Sequence, residues 1–114
     1  MVTFYSLNID IHNNKLNVAQ EIISDIIRLA MNIYKNPLVF LTSKLNEDLQ
    51  TILKLLENCS TIYISSSENA LPKNWKILNT HYKCSYFTVL NVMDSKGFSQ
   101  IVLFPVNPET FPIN

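Results

Sequence analysis

Two periods of hydrophobic and polar residues run along this chain, and the places where one gives way to the other mark its elements. From Val2 to Ile11, Phe4, Ser6, Asn8 and Asp10 alternate with Tyr5, Leu7, Ile9 and Ile11, which predicts a strand. His12 to Lys15 is a polar connection whose Asn pair suits a turn. Asn17 then opens a predicted helix, with Gln20 three residues on to return a hydrogen bond as in a capping box. Ala19, Ile22, Ile23, Ile26, Ile27, Leu29, Ala30, Ile33 and Tyr34 fill more than one narrow stripe. Glu21, Ser24, Asp25, Arg28 and Asn32 are left outward. A helix this apolar is expected to pack on a sheet and on a second surface. Lys35, Asn36 and Pro37 stop it.

The run Pro37 to Thr42 is almost wholly apolar and predicts a strand buried on both faces, the kind found in helix-covered parallel sheets. Ser43 or Asn46 is expected to cap a second helix, with Glu47 and Asp48 at the positive end of its dipole. Leu49, Ile52, Leu53, Leu55, Leu56 and Cys59 form its inner face, and Thr61 to Ser65 is a third strand. Short connections favour β-α-β-α-β with right-handed crossovers for residues 2–65.

Past the polar stretch Ser66 to Asn74 the helical period is gone. Trp75 to Leu78 and Tyr82 to Met93 read as strands, Asp94-Ser-Lys-Gly97 as a turn holding the only Gly, and Phe98 to Phe104 as the returning antiparallel strand. Three Pro, at 105, 108 and 112, make the tail Pro105 to Asn114 extended, and Phe111 and Ile113 are too apolar for it to be solvated. The expected fold is a single α/β domain over 1–114, a 1–65 half and a 75–104 half joined by the 66–74 loop. Its parallel core is extended by the antiparallel C-terminal hairpin into a mixed sheet.

Composition changes this picture in one respect. Charged residues are only 16% of the chain, against roughly 25% in typical soluble domains, so the surface is expected to be covered by Asn, Ser, Thr and Gln or else partly hidden in an assembly. Nine basic and nine acidic residues cancel, which disfavours nucleic-acid binding by bulk charge and weakens the repulsion between copies. No apolar run nears the roughly 18 residues that span a bilayer, and a soluble, cytoplasmic protein without membrane contact is expected.

Candidate chemistry is sparse. Asp10 and His12 follow the first strand at the sheet edge where ligands gather in parallel α/β folds, and they are the only weak catalytic candidates. His81 and Cys84 form one loose pair, with Cys59 and His12 elsewhere in the chain. A structural zinc takes four ligands, usually as two close pairs, so no metal is expected. Both cysteines read as reduced, half-buried thiols. Gly97 stands alone, so no glycine loop can cradle a phosphate, and no cofactor is expected. Tyr63, Trp75, Tyr82, Tyr86, Phe87, Phe98, Phe104 and Phe111 lie near Lys73, Lys76, Lys83 and Lys96, a composition suited to stacked single strands and also to core or protein interface.

Leu7-Asn-Ile-Asp10, Tyr86-Phe-Thr-Val-Leu-Asn-Val-Met-Asp-Ser95 and Ile101-Val-Leu-Phe104 together resemble the acid-bearing strand and the hairpin in the C-terminal half of a RecA-type ATPase core. That family includes recombinases, KaiC-like proteins and the RecA-like subunits of Elongator. The phosphate-binding loop and its Lys are missing, so the resemblance implies a degenerate, ATP-independent relative that acts by assembling with partners. Asp10 would match the magnesium-side acid, with no nucleotide to act on.

The leading expectation is a non-enzymatic interaction module that forms homo- or hetero-oligomers. Tyr86, Phe98, Phe104, Phe111 and Ile113 are its interface candidates. The alternative is a small nucleic-acid-binding protein or nuclease that uses Asp10, His12 and the lysine-aromatic surface.

Overall fold

The computed structural model describes residues 3–9, 14–33, 45–83 and 87–106, with the side chains of all but 45–47. Strand β1 (Phe4–Asn8) is followed by helix α1 (Lys15–Ile33), helix α2 (Leu45–Asn58) and strand β2 (Thr61–Ser65). A 3₁₀ turn at Glu68–Ala70 leads to strands β3 (Lys76–Lys83), β4 (Phe87–Met93) and β5 (Ser99–Pro105). The five strands form one mixed sheet in the order β1-β2-β5-β4-β3, so the expected α/β domain with a mixed sheet is what the chain builds.

The pairing within that sheet differs from a β-α-β-α-β core in one way. β1 and β2 are direct neighbours and run antiparallel, Phe4 opposite Ser65 and Asn8 opposite Thr61. Among the described residues two helices lie between them in sequence, and β2 returns antiparallel to β1. The single parallel pair is β2 with β5, which joins the two halves of the chain. The apolar run Pro37 to Thr42 lies outside the described residues, and no strand stands between β1 and β2. The middle of the sheet is instead β5, from the C-terminal half.

Cα partners share a face, so the registers divide the side chains into two layers. Tyr5, Leu7, Ile62, Ile64, Phe87, Val89 and Leu103 join the buried face of α1, made by Ala19, Ile22, Ile23, Ile26, Leu29 and Ala30. Ile52, Leu55 and Leu56 of α2 complete that layer. The breadth of the apolar face on α1 is explained by its two partners, α2 and β5. On the other face Leu90, Val92 and Val102 form a smaller cluster with Phe4, Tyr63, Leu71, Trp75 and Phe104.

Local details correct several sequence expectations. The Asn14 side chain, not that of Asn17, caps α1, its Oδ1 accepting the Leu16 N–H at 2.9 Å. Asp25 is turned inward rather than left outward, accepting a 2.8 Å hydrogen bond from the Tyr5 hydroxyl and pairing with Arg28. Asp48, at 5% exposure, is buried near the start of α2. β3 runs unbroken through Asn79-Thr80-His81, where the polar residues suggested a gap; being at the sheet edge, that strand keeps its side chains in water.

The β4–β5 hairpin forms where the turn residues place it. Asp94 O accepts from Gly97 N at 3.1 Å and Asp94 N donates to Phe98 O at 2.8 Å, with Gly97 at φ +88°. This is the three-residue hairpin loop that needs a left-handed residue in its last position. Pro105 ends β5 and is buried there. Of the expected tail, 107–114 lie outside the described residues.

Candidate interaction surface

Among the described residues, the β3 edge of the sheet is exposed along nearly its whole length. β3 pairs only with β4, and its outer edge has no strand partner among the described residues. From Lys76 to His81 every residue is exposed, as is Lys83; only Tyr82 turns partly inward, toward Phe87. Ile77 and Leu78 are 44% and 46% exposed, high values for side chains of this kind. The sequence explains why the strand tolerates this. Lys, Asn, Thr and His suit water, while Ile77 and Thr80 sit opposite Val92 and Leu90 on the face of the smaller cluster.

Two register shifts, between Ile77 and Asn79 and between Thr80 and Tyr82, break the ladder with β4. Such bulges increase local twist and make an edge a poor template for indiscriminate pairing. Asn91 ties the middle of β3 to β4, its Nδ2 donating to Asn79 Oδ1 at 2.6 Å.

Beside this edge, on the helix side of the sheet, lies an open cleft of about 440 Å³ between α2 and β3. Thr51, Lys54, Leu55, Asn58 and Cys59 form the helix wall; His81 and Tyr82 form the strand wall, with Ile101 of β5 also lining it. Folding thus brings Cys59 and His81 to one cleft, two of the residues that carried the metal reading. Among the described residues no group of three His, Cys, Asp or Glu is placed to hold a metal ion. Cys59 is a free thiol, and burial pushes its pKa up, away from the thiolate that a nucleophile requires.

At the far end of β4, Phe98 beside the hairpin turn is 63% exposed, and Met93 is 36% exposed. The turn is held by Asp94, whose carboxylate accepts from Gln100 Nε2, Phe98 N and Lys96 N, each at 2.9 Å. These donors, Gln100 foremost, hold its pKa below the usual carboxylate value.

The aromatic residues divide by position. Phe4 stacks on Tyr63 at 5.3 Å, and Trp75 meets both edge-on at 5.2 and 4.9 Å. Their rings are occupied by one another, and Phe87 is fully buried. Of the interface candidates, Phe98 is exposed and Phe104 is half-buried against the smaller cluster. Tyr86, Phe111 and Ile113 lie outside the described residues, as do the catalytic candidates Asp10 and His12 and the second cysteine, Cys84. An exposed sheet edge was expected from the sequence, but not which strand forms it, and the α2–β3 cleft escaped sequence reasoning. The signal available was the clustering of Lys73, Lys76, Lys83 and His81 with no acid between them.

Among the described residues no helix is long and apolar enough to cross a membrane. Comparison of the chain with protein-family models, with curated proteins and with solved structures finds no match.

Proposed function

We propose that this chain is a non-enzymatic interaction module that assembles with protein partners through the β3 end of its sheet. The observation that carries this reading is an eight-residue edge strand, unpaired on its outer side among the described residues, with Ile77 and Leu78 open to solvent. Main-chain donors and acceptors on such an edge supply affinity, and apolar side chains beside them supply selectivity. The low charged fraction and Phe98 at the neighbouring turn support it. A loop-less, ATP-independent relative of the RecA-type core would act in the same manner.

The nucleic-acid alternative draws on the same lysines. Stacking of bases needs free ring faces, however, and Phe4, Tyr63 and Trp75 are packed on one another. A net charge of zero also gives no long-range attraction to phosphate.

The test is size-exclusion with light scattering at rising concentration, together with partner capture from the source cells, on the wild type and on the Ile77→Lys/Leu78→Lys variant. The expected result is a mass above the monomer or a retained partner, lost in the folded variant. A wild type that stays monomeric and retains nothing the variant does not would sink the proposal.

A further inference from the structure

Resting on that reading, we infer that the occupant of the β3 edge is an extended acidic segment of a partner protein, added to the sheet as a sixth strand. The charge of the edge points there. The chain as a whole is neutral, yet residues 73–83 hold Lys73, Lys76 and Lys83, three of its nine basic residues, with His81 and no acid. The adjoining cleft adds Lys54 and, among its lining residues, no carboxylate. The acid nearest along the ladder, Asp94, lies beyond the Lys76–Met93 pair in the β4–β5 turn, outside the span of β3.

The same charges argue against a second copy of this chain. An antiparallel two-fold pairing of β3 along its whole length brings the Lys76 end of each copy against the Lys83 end of the other, and gathering like charges along a ladder is unfavourable. A parallel in-register pairing of copies sets Lys76 beside Lys76 and Lys83 beside Lys83, which gathers like charges in the same way. Shifting the register to separate the lysines shortens the ladder.

The partner that fits carries acidic residues near the two ends of a strand of β3's length, opposite Lys76 and Lys83. Between them it has β-branched residues on the side that covers Ile77.

The probe is a set of labelled eight-residue peptides, the length of β3, with alternating Val and Thr at the centre and Glu, Gln or Lys at both ends. Binding to the full chain is read by fluorescence anisotropy at low and high salt. The Glu-ended peptide is expected to bind roughly tenfold more tightly than the Lys-ended one, with the difference shrinking in salt. Lys76→Glu/Lys83→Glu is expected to reverse that order, so that the Lys-ended peptide rescues binding. Methylation of alternate peptide nitrogens, which leaves the protein untouched, is expected to abolish binding because it removes the ladder donors.

Equal affinity for Glu- and Lys-ended peptides, or no binding by any, overturns the acidic strand. So does tighter retention of oligo-dT with the same lysine dependence, or dimerisation through β3. If a partner or an oligomer is nevertheless lost in Ile77→Lys/Leu78→Lys, the interaction module stands and only the nature of its partner is wrong.

Discussion

Tyr5 shows how one side chain in the main core remains polar. Its ring packs against the helix-side core while its hydroxyl donates to Asp25, whose other oxygen faces Arg28. Burial, then the hydrogen bond to Asp25, raises the pKa of the phenol, because both favour the neutral form. A group whose folded pKa is raised contributes stability that is complete below its unfolded value, here 10.0, and is lost as pH climbs toward the folded one. Tyr5→Phe removes the hydrogen bond and leaves Asp25 with Arg28 alone. The expected cost is about 1 kcal/mol at neutral pH, with the gap between wild type and variant closing above pH 10.0. Urea unfolding of both proteins across that range checks this. A gap that widens in alkali would mean that Tyr5 ionises more easily in the fold than in the unfolded chain.

At the scale of elements, the β4–β5 turn depends on Gly97, the only described residue with positive φ. A Cβ placed there meets nothing within 4 Å, so a substitution acts through backbone conformation alone. Gly97→Ala is expected to cost about 1 kcal/mol, and Gly97→Asn less, since Asn tolerates left-handed backbone. Equal midpoints for all three in denaturant melts would show that the turn changes type instead. This hairpin was legible in the sequence because its determinants are local: Asp94 and Gly97 set the turn, and residues on either side alternate. The placement of β1 was not legible. Its neighbour was decided by closures far apart in sequence, Ile9 N to Ser60 O at 2.7 Å and Ser66 N to Thr3 O at 2.8 Å. β3 shows a third kind of difficulty. An edge strand needs no apolar period, so Asn79-Thr80-His81 looked like an interruption until the pairing with β4 was known. The candidate site shared that difficulty, since exposure of Ile77 and Leu78 follows from the edge position and not from their own chemistry.

At the scale of the molecule, the question is whether a sheet with unequal clusters on its two faces unfolds as one body. Phe87 and Val89 point into the helix-side core, while Leu90 and Val92 of the same strand enter the smaller cluster; in β5, Leu103 and Val102 divide in the same way. Neither cluster can be lost while β4 and β5 keep their places, because each supplies one face of both strands. The polar segment between the halves does not uncouple them, since β2 of the first pairs with β5 of the second through Ile62–Ile101, Tyr63–Val102 and Ile64–Leu103. Trp75, the only Trp, reports the smaller cluster through its contacts with Phe4 and Tyr63, and helical circular dichroism reports α1 and α2 on the opposite face. Coincident transitions of the two signals in urea, with one midpoint and one slope, are the expected outcome. Ile62→Ala, which opens a cavity at a fully buried position of β2 beneath the helices, is expected to cost roughly 2–5 kcal/mol and to shift both signals together. A tryptophan transition that stays in place while the helical one moves would mean that the two faces are separate folding units, and that β2–β5 pairing does not bind the halves into one domain.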